Sequence, residues 1–237
     1  MELSKRLQAV ADLLSEGLIV ADVGTDHGYI PIYLLETGKC PTAFAMDINK
    51  GPIMRAKEHI EAHGLQDKIT VRQSDGVKAL EVGECESVNI AGMGGALAIK
   101  IMEDGKAVFK SLKEFVLQPQ SELDKVRRYL CENAYCIVKE DMVYEDGKYY
   151  PMMKLVNGPT EPYSPVELRY GKKLLEAKHP VLKQFLEKEV QTKEQIIKNL
   201  NNEQGEHIQK RILELQEELA YIKEALSVYS SEESDAL

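Results

Sequence analysis

A chain of 237 residues, 43% of them apolar, can bury one large core and carry a smaller appended unit. It has no run of about 18 apolar residues, and its opening MELSKRLQAVADLL mixes charges into a helical period, so neither a membrane span nor a signal peptide is expected and the cytoplasm is the expected location. The net charge of −9 argues against nonspecific adhesion to nucleic acid without excluding a nucleic-acid substrate, and four cysteines (Cys40, Cys85, Cys131 and Cys136) lacking C-x-x-C spacing argue against a disulfide framework or a structural metal.

From residue 18 to 156, short apolar runs alternate with amphipathic segments, as expected of a mostly parallel sheet with helices on both faces. In chain order, strands are predicted at 18–23, 43–47, 69–72, 87–91 and 115–118, with helical segments near 29–38, 52–63, 76–80, 95–110 and 121–133. Two further strands, 135–144 and 149–156, are separated only by Glu145-Asp146-Gly147-Lys148, whose Asp-Gly pair predicts an antiparallel hairpin. A seven-stranded, Rossmann-like α/β sheet results. Dinucleotide dehydrogenases usually continue with another parallel crossover, so the hairpin counts against them.

NGPTEPYSP, residues 157–165, reads as a boundary, and the expected division is 1–157, 158–230 and a disordered tail at 231–237. Beyond the boundary the pattern is helical. Ile208, Ile212, Leu215, Leu219, Ile222, Leu226 and Tyr229 form a heptad seam, and Leu182, Phe185, Glu189, Thr192, Ile196 and Asn199 follow a weaker one. The turn-like NNEQGE between them predicts an antiparallel coiled-coil hairpin. Pairing within the chain makes a monomer the expectation, although the heptads also permit pairing between chains. Residues 169–198 hold eight basic residues against four acidic ones, but lysines at every fifth position step by roughly 500° and spiral around a helix without forming a stripe.

Chemistry concentrates at the carboxyl ends of the predicted strands. In LIVADVGTDHGYIP an apolar run leads into Asp22, and a turn from Gly24 to Gly28 precedes a helix. The turn lacks dinucleotide-type G-x-G-x-x-G spacing, and Asp26 would repel a pyrophosphate. A cationic nucleoside without phosphate, S-adenosylmethionine, suits it better. Asp47 ends the second strand about twenty residues on, where a carboxylate can accept from both ribose hydroxyls, its alternative being a helix-start acid. Ser74-Asp75-Gly76 follows the third strand and offers a carboxylate to an exocyclic amine such as adenine N6, with Gln73 able to line the same pocket. By itself it is a turn. The fourth strand ends in Asn89-Ile90-Ala91-Gly92-Met93-Gly94-Gly95, where glycines let the main chain approach a ligand closely. No D/N-P-P-Y/F tetrad, the amine-holding motif of many methyltransferases, stands there.

With the DVGTDHGYIP turn, Asp47, SDG, NIAGMGG, the FVLQPQ strand, the N-terminal LSKRLQAVADLL and the helical C-terminal arm, the chain resembles the bacterial tRNA (adenine(22)-N1)-methyltransferases over nearly its whole length. The resemblance implies a class I S-adenosylmethionine-dependent enzyme that methylates N1 of adenosine 22 in tRNA, with no metal and no membrane. It implies a cofactor-binding set of Asp22, Gly24, His27, Gly28, Asp47, Ile48, Ser74, Asp75, Gly76, Ala91, Gly92, Met93 and Gly94. Asp26, His27 and Tyr29, beside the cofactor turn, are the catalytic candidates; capping, a cofactor contact or core packing are their respective alternatives. Methylation of another RNA or a small molecule, a noncatalytic cofactor- or RNA-binding module, and a nicotinamide-dependent oxidoreductase are the competing functions.

Overall fold

The computed structural model describes residues 1–230, so the tail expected to be disordered lies outside the described residues. Two compact units are present, Met1–Pro162 and one that begins at Tyr163, a little beyond the 157/158 boundary read from composition.

In the first unit the elements run α1 (Lys5–Leu13), β1 (Val20–Val23), α2 (Tyr29–Glu36), β2 (Ala43–Asp47), α3 (Lys50–Ala62), β3 (Ile69–Gln73), β4 (Ser87–Met93), α4 (Gly95–Asp104), α5 (Lys106–Ser111), β5 (Glu114–Pro119), α6 (Leu123–Glu132), β6 (Tyr135–Glu145) and β7 (Lys148–Asn157). The strands form one seven-stranded sheet in the order β3-β2-β1-β4-β5-β7-β6. β1 to β5 are parallel, while β7 runs antiparallel to both β5 and β6. Every residue of β1 and β5 is buried, which explains why these strands read as continuous runs with no polar alternation. α1 is capped twice: Ser4 Oγ accepts from Leu7 N, and the Glu145 carboxylate accepts from Lys5 N at 2.7 Å and Arg6 N at 3.2 Å.

Two predicted helices differ from expectation. Residues 76–80 form turns, because Ser74 Oγ donates to Gly76 O at 2.8 Å and accepts from Ala79 N at 3.1 Å, a local closure that competes with helical pairing. The 95–110 segment divides into α4 and α5 at Gly105. Val77 from that turn packs so close that a Cβ on residue 105 would stand 2.1 Å from its Cγ2. Glycine at the junction therefore answers a neighbour distant in sequence.

The second unit contains α7 (Pro165–Tyr170), α8 (Lys172–Glu176), α9 (Pro180–Leu200) and α10 (Glu206–Ser230). α9 and α10 lie antiparallel, with Lys193 Nζ 2.6 Å from Glu218 and the Tyr229 hydroxyl donating to His179 O at 3.0 Å. α10 buries Ile208, Ile212, Leu215, Leu219, Ile222 and Ala225, with Leu226 half-buried. On α9 the inward face shifts one residue from the expected Phe185, Thr192 and Ile196 to Leu186, Lys193 and Ile197, and Ile196 is exposed. Lys193 conceals this phase: its stem follows the seam while its charge meets Glu189 and Glu218, so an apolar count misses it.

Within the first unit, Arg127 on α6 and Glu140 on β6 are both fully buried and paired at 2.8 Å. Removing one charge takes this partner from the other in a low-dielectric interior, a cost of roughly 3–5 kcal/mol. Arg127→Leu should lower stability by about that amount in denaturant titrations, whereas the Arg127→Met, Glu140→Leu pair should recover most of it.

Candidate active site

The site grows from the register of β1 against β4. Asp22 pairs with Asn89, and the Asn89 side-chain amide donates to the Asp22 carboxylate at 2.7 Å with both residues buried. Among the described residues, Asn89 Oδ1 and Gln118 Nε2 are buried without a partner. Such groups are costly unless a ligand satisfies them. Gln118, on β5, accepts through Oε1 from Arg6 Nη1 and from Gly92 N, each at 3.1 Å, and so ties α1 to the β4 loop.

After β1 the chain turns sharply. Gly24 N and Thr25 N both donate to Met46 O at 2.8 Å, which folds the turn over the end of β2. Gly24 adopts φ +80°, and a Cβ there would lie 2.2 Å from Met93 Cε. The left-handed conformation is what this position needs glycine for, since the Met93 methyl is the movable end of a flexible side chain. His27 is also left-handed at φ 61°, and its ring stacks on Tyr29 at 5.2 Å and 20°. Asp26 is exposed and accepts from Arg55 Nη2 at 2.8 Å and Nε at 3.2 Å.

A cavity of about 290 Å³ opens here, lined by Arg6, Leu7, Asp22, Gly24, Asp26, Tyr29, Ile30, Asn89, Ala91, Gly92 and Gln120. It gathers Asp22, Gly24, Asp26, Tyr29, Ala91 and Gly92 from the sequence-derived set. His27, Gly28, Met93 and Gly94 flank it within the same two turns. Asp47, Ile48, Ser74, Asp75 and Gly76 stand at the ends of β2 and β3, outside its lining. Asp47 Oδ1 accepts from Asn49 N at 2.7 Å, which orients the carboxylate at the strand end. Ile48 is exposed, and its carbonyl accepts from Gln73 Nε2 at 2.8 Å. Asp75 pairs with Lys78, while the Ser74 hydroxyl is spent inside its own turn and acts by shaping the loop that presents Asp75 and Gly76.

Sequence reading missed Arg6, Leu7, Ile30 and Gln120 as lining residues and Asn89 as a polar anchor. Asn89 left a signal, an amide in the middle of a largely apolar strand. Arg6 left none, because only the packing of α1 carries it to the sheet edge. Cys40 and Cys85 are free and buried, with thiols pushed up to about 12 by desolvation, so they are inert fillers. Among the described residues no group of three or more His, Cys, Asp or Glu is arranged to hold a metal ion, and no helix is long and apolar enough to cross a membrane.

Residues 3–153 match the methyltransferase domain family. The tRNA (adenine(22)-N(1))-methyltransferase of Bacillus subtilis is 39% identical over 153 residues, which span 65% of this chain and 64% of that protein, just under two thirds of its length. The solved structure of the Bacillus subtilis m1A22 tRNA methyltransferase TrmK superposes with a TM-score of 0.83 at 32% identity, covering 95% of this chain and 99% of that one. Streptococcus pneumoniae Sp1610, solved in complex with S-adenosyl-L-methionine, is 34% identical with a TM-score of 0.86, over 95% of this chain and all of the other.

Burial raises the Asp22 carboxyl above its ordinary 3.8, and the hydrogen bond from Asn89 offsets part of the rise. The folded state then holds this proton more tightly than the unfolded chain does. Its contribution to stability is full below pH 3.8 and is lost as pH climbs through the raised value. Asp22→Asn removes that loss, so its denaturation midpoint should fall less than that of the wild type as pH rises above about 4.

Proposed function

The chain belongs to the methyltransferase domain family and, within it, to the tRNA (adenine(22)-N1)-methyltransferases, and on that premise we propose that it transfers a methyl group from S-adenosylmethionine to N1 of adenosine 22 in tRNA. The observation that carries this reading is a cavity with the buried Asp22–Asn89 pair and the Arg6 guanidinium on its walls, opening beside the His27–Tyr29 stack.

The chain's donors and acceptors fit the cofactor. Its amino-acid tail is a zwitterion: Asp22 and the partnerless Asn89 Oδ1 would hold the ammonium, and Arg6 would hold the carboxylate. Asp47 would accept from the ribose hydroxyls and Asp75 from the adenine amine, with the Ile48 side chain available to cover the base and Gly24, Gly28, Gly76 and the Ala91–Gly94 loop supplying close main-chain approach. When bound, the cofactor supplies an electrophilic methyl group on a sulfonium.

The protein's remaining task is placement. Adenine N1 is unprotonated near neutral pH and carries its own lone pair, so no strong base is needed. Tyr29 and His27 offer a stacked pair of rings on which the target base can lie. Methylation leaves the ring cationic, and Asp26 at the cavity wall stabilises that charge more than the neutral substrate. N1 lies on the pairing edge, so the base must leave its pairing partner to reach this wall. The α10 seam is already covered by α9 within the chain, which supports a monomer, and the helices of the second unit supply a basic segment for RNA backbone.

Unmodified total tRNA incubated with methyl-labelled cofactor should carry label at N1 of adenosine 22; label at another nucleoside or in no RNA overturns the assignment. The Asp26→Ala, His27→Ala double variant should lose at least roughly a hundredfold in turnover while still binding cofactor, and unchanged methylation would sink the assigned roles. Arg6→Ala should weaken cofactor binding about tenfold in calorimetry with little change in melting temperature.

A further inference from the structure

One face of α3 runs alongside the segment that carries the proposed catalytic residues. Arg55, His59 and His63 are four residues apart and share that face. Each meets the 26–36 segment in order: Arg55 grips the Asp26 carboxylate, His59 Nδ1 lies 2.9 Å from the carbonyl of His27, and His63 Nδ1 lies 2.6 Å from Glu36. Glu36 also takes the N-terminal ammonium at 2.7 Å, so the far end of the row is anchored.

The middle contact acts on the least favourable piece of backbone in the site. His27 and Gly28 are consecutive left-handed residues, φ 61° and 68°, and for His27 that conformation has a steric cost which its surroundings must offset. A carbonyl only accepts, so the His59–His27 hydrogen bond requires the hydrogen on Nδ1 of His59. The His59 ring also stands edge-on to Tyr29 at 5.3 Å and 87°, and to His27 at 6.2 Å and 81°. One side chain thus touches the backbone that aims His27 and the faces or edges of both stacked rings. His59 is half-buried and is absent from the cavity lining.

We propose that His59 is a positioning residue for methyl transfer: its Nδ1–H holds the left-handed His27 turn, and its ring fixes the His27–Tyr29 stack on which the acceptor adenine is received. The inference rests on the proposed roles of His27 and Tyr29. It assigns His59 no contact with cofactor or base.

The test compares full-length His59→Ala, His59→Phe and His59→Asn proteins on tRNA. Phenylalanine keeps an aromatic ring and removes the donor; asparagine removes the ring and places an amide nitrogen close to where Nδ1 stands. Turnover, KM for tRNA, cofactor affinity by calorimetry and melting temperature are measured for each. Loss of one well-aimed hydrogen bond should lower kcat about tenfold in the alanine and phenylalanine variants. Cofactor affinity should stay within about twofold, and asparagine should restore at least about a third of the lost turnover. Wild-type kcat in His59→Phe, an asparagine variant as impaired as the alanine one, or a kcat loss matched by an equal loss of cofactor affinity overturns the proposal. Wild-type protein that leaves N1 of adenosine 22 unmethylated refutes the functional reading itself, a result distinct from any of these.

Discussion

The site depends on the place where the sheet changes direction. β1 has β2 on one side and β4 on the other, so the chain after β1 and the chain after β4 leave the same edge and diverge, opening a crevice between them. Parallel pairing lines up Asp22 with Asn89 at that opening and puts a carboxylate inside the sheet. A buried carboxylate held by one amide is an expensive arrangement for folding and a favourable one for receiving a cation. The raised pKa of Asp22 expresses the same tension.

The other features are supports for that edge. Gly24 lets Met93 of the neighbouring loop lie against the turn, Gln118 joins Arg6 to Gly92, and Ser74 closes the loop that carries Asp75. α3 secures the outer wall through Arg55 and His59. Each support is a hydrogen bond or a close packing contact between segments far apart in the chain, so the site is precise only when the whole unit is folded. The second unit follows a simpler rule, in which two helices cover each other's apolar stripe and place lysine heads at carboxylates along its border.

The inner strands were legible because a strand buried on both faces must be apolar throughout, as VADV and EFVL show apart from their buried acids, and the closing hairpin because Asp146-Gly147 is a local turn signal. Asp22, Gly24, Asp26, Ala91 and Gly92 were legible as cavity-lining residues because they sit at or just beyond strand ends, where open α/β sheets bind ligands. Arg6, Gln120 and His59 were not. Nothing within a helical turn of them distinguishes a ligand-facing or loop-holding residue from a solvated one.

Local sequence therefore determined what depends on neighbours in the chain: the period of each element, the hairpin, the glycine-bearing turns and the α10 seam. Tertiary structure decided what depends on partners far away. It replaced a helix at 76–80 with turns, packed Val77 against the glycine junction at 105, rotated the inward face of α9 by one residue around Lys193, and carried Arg6 into the cavity. The physical reason is that periodicity encodes which face of an element is apolar, whereas the identity of the group that meets that face is settled only when distant segments pack.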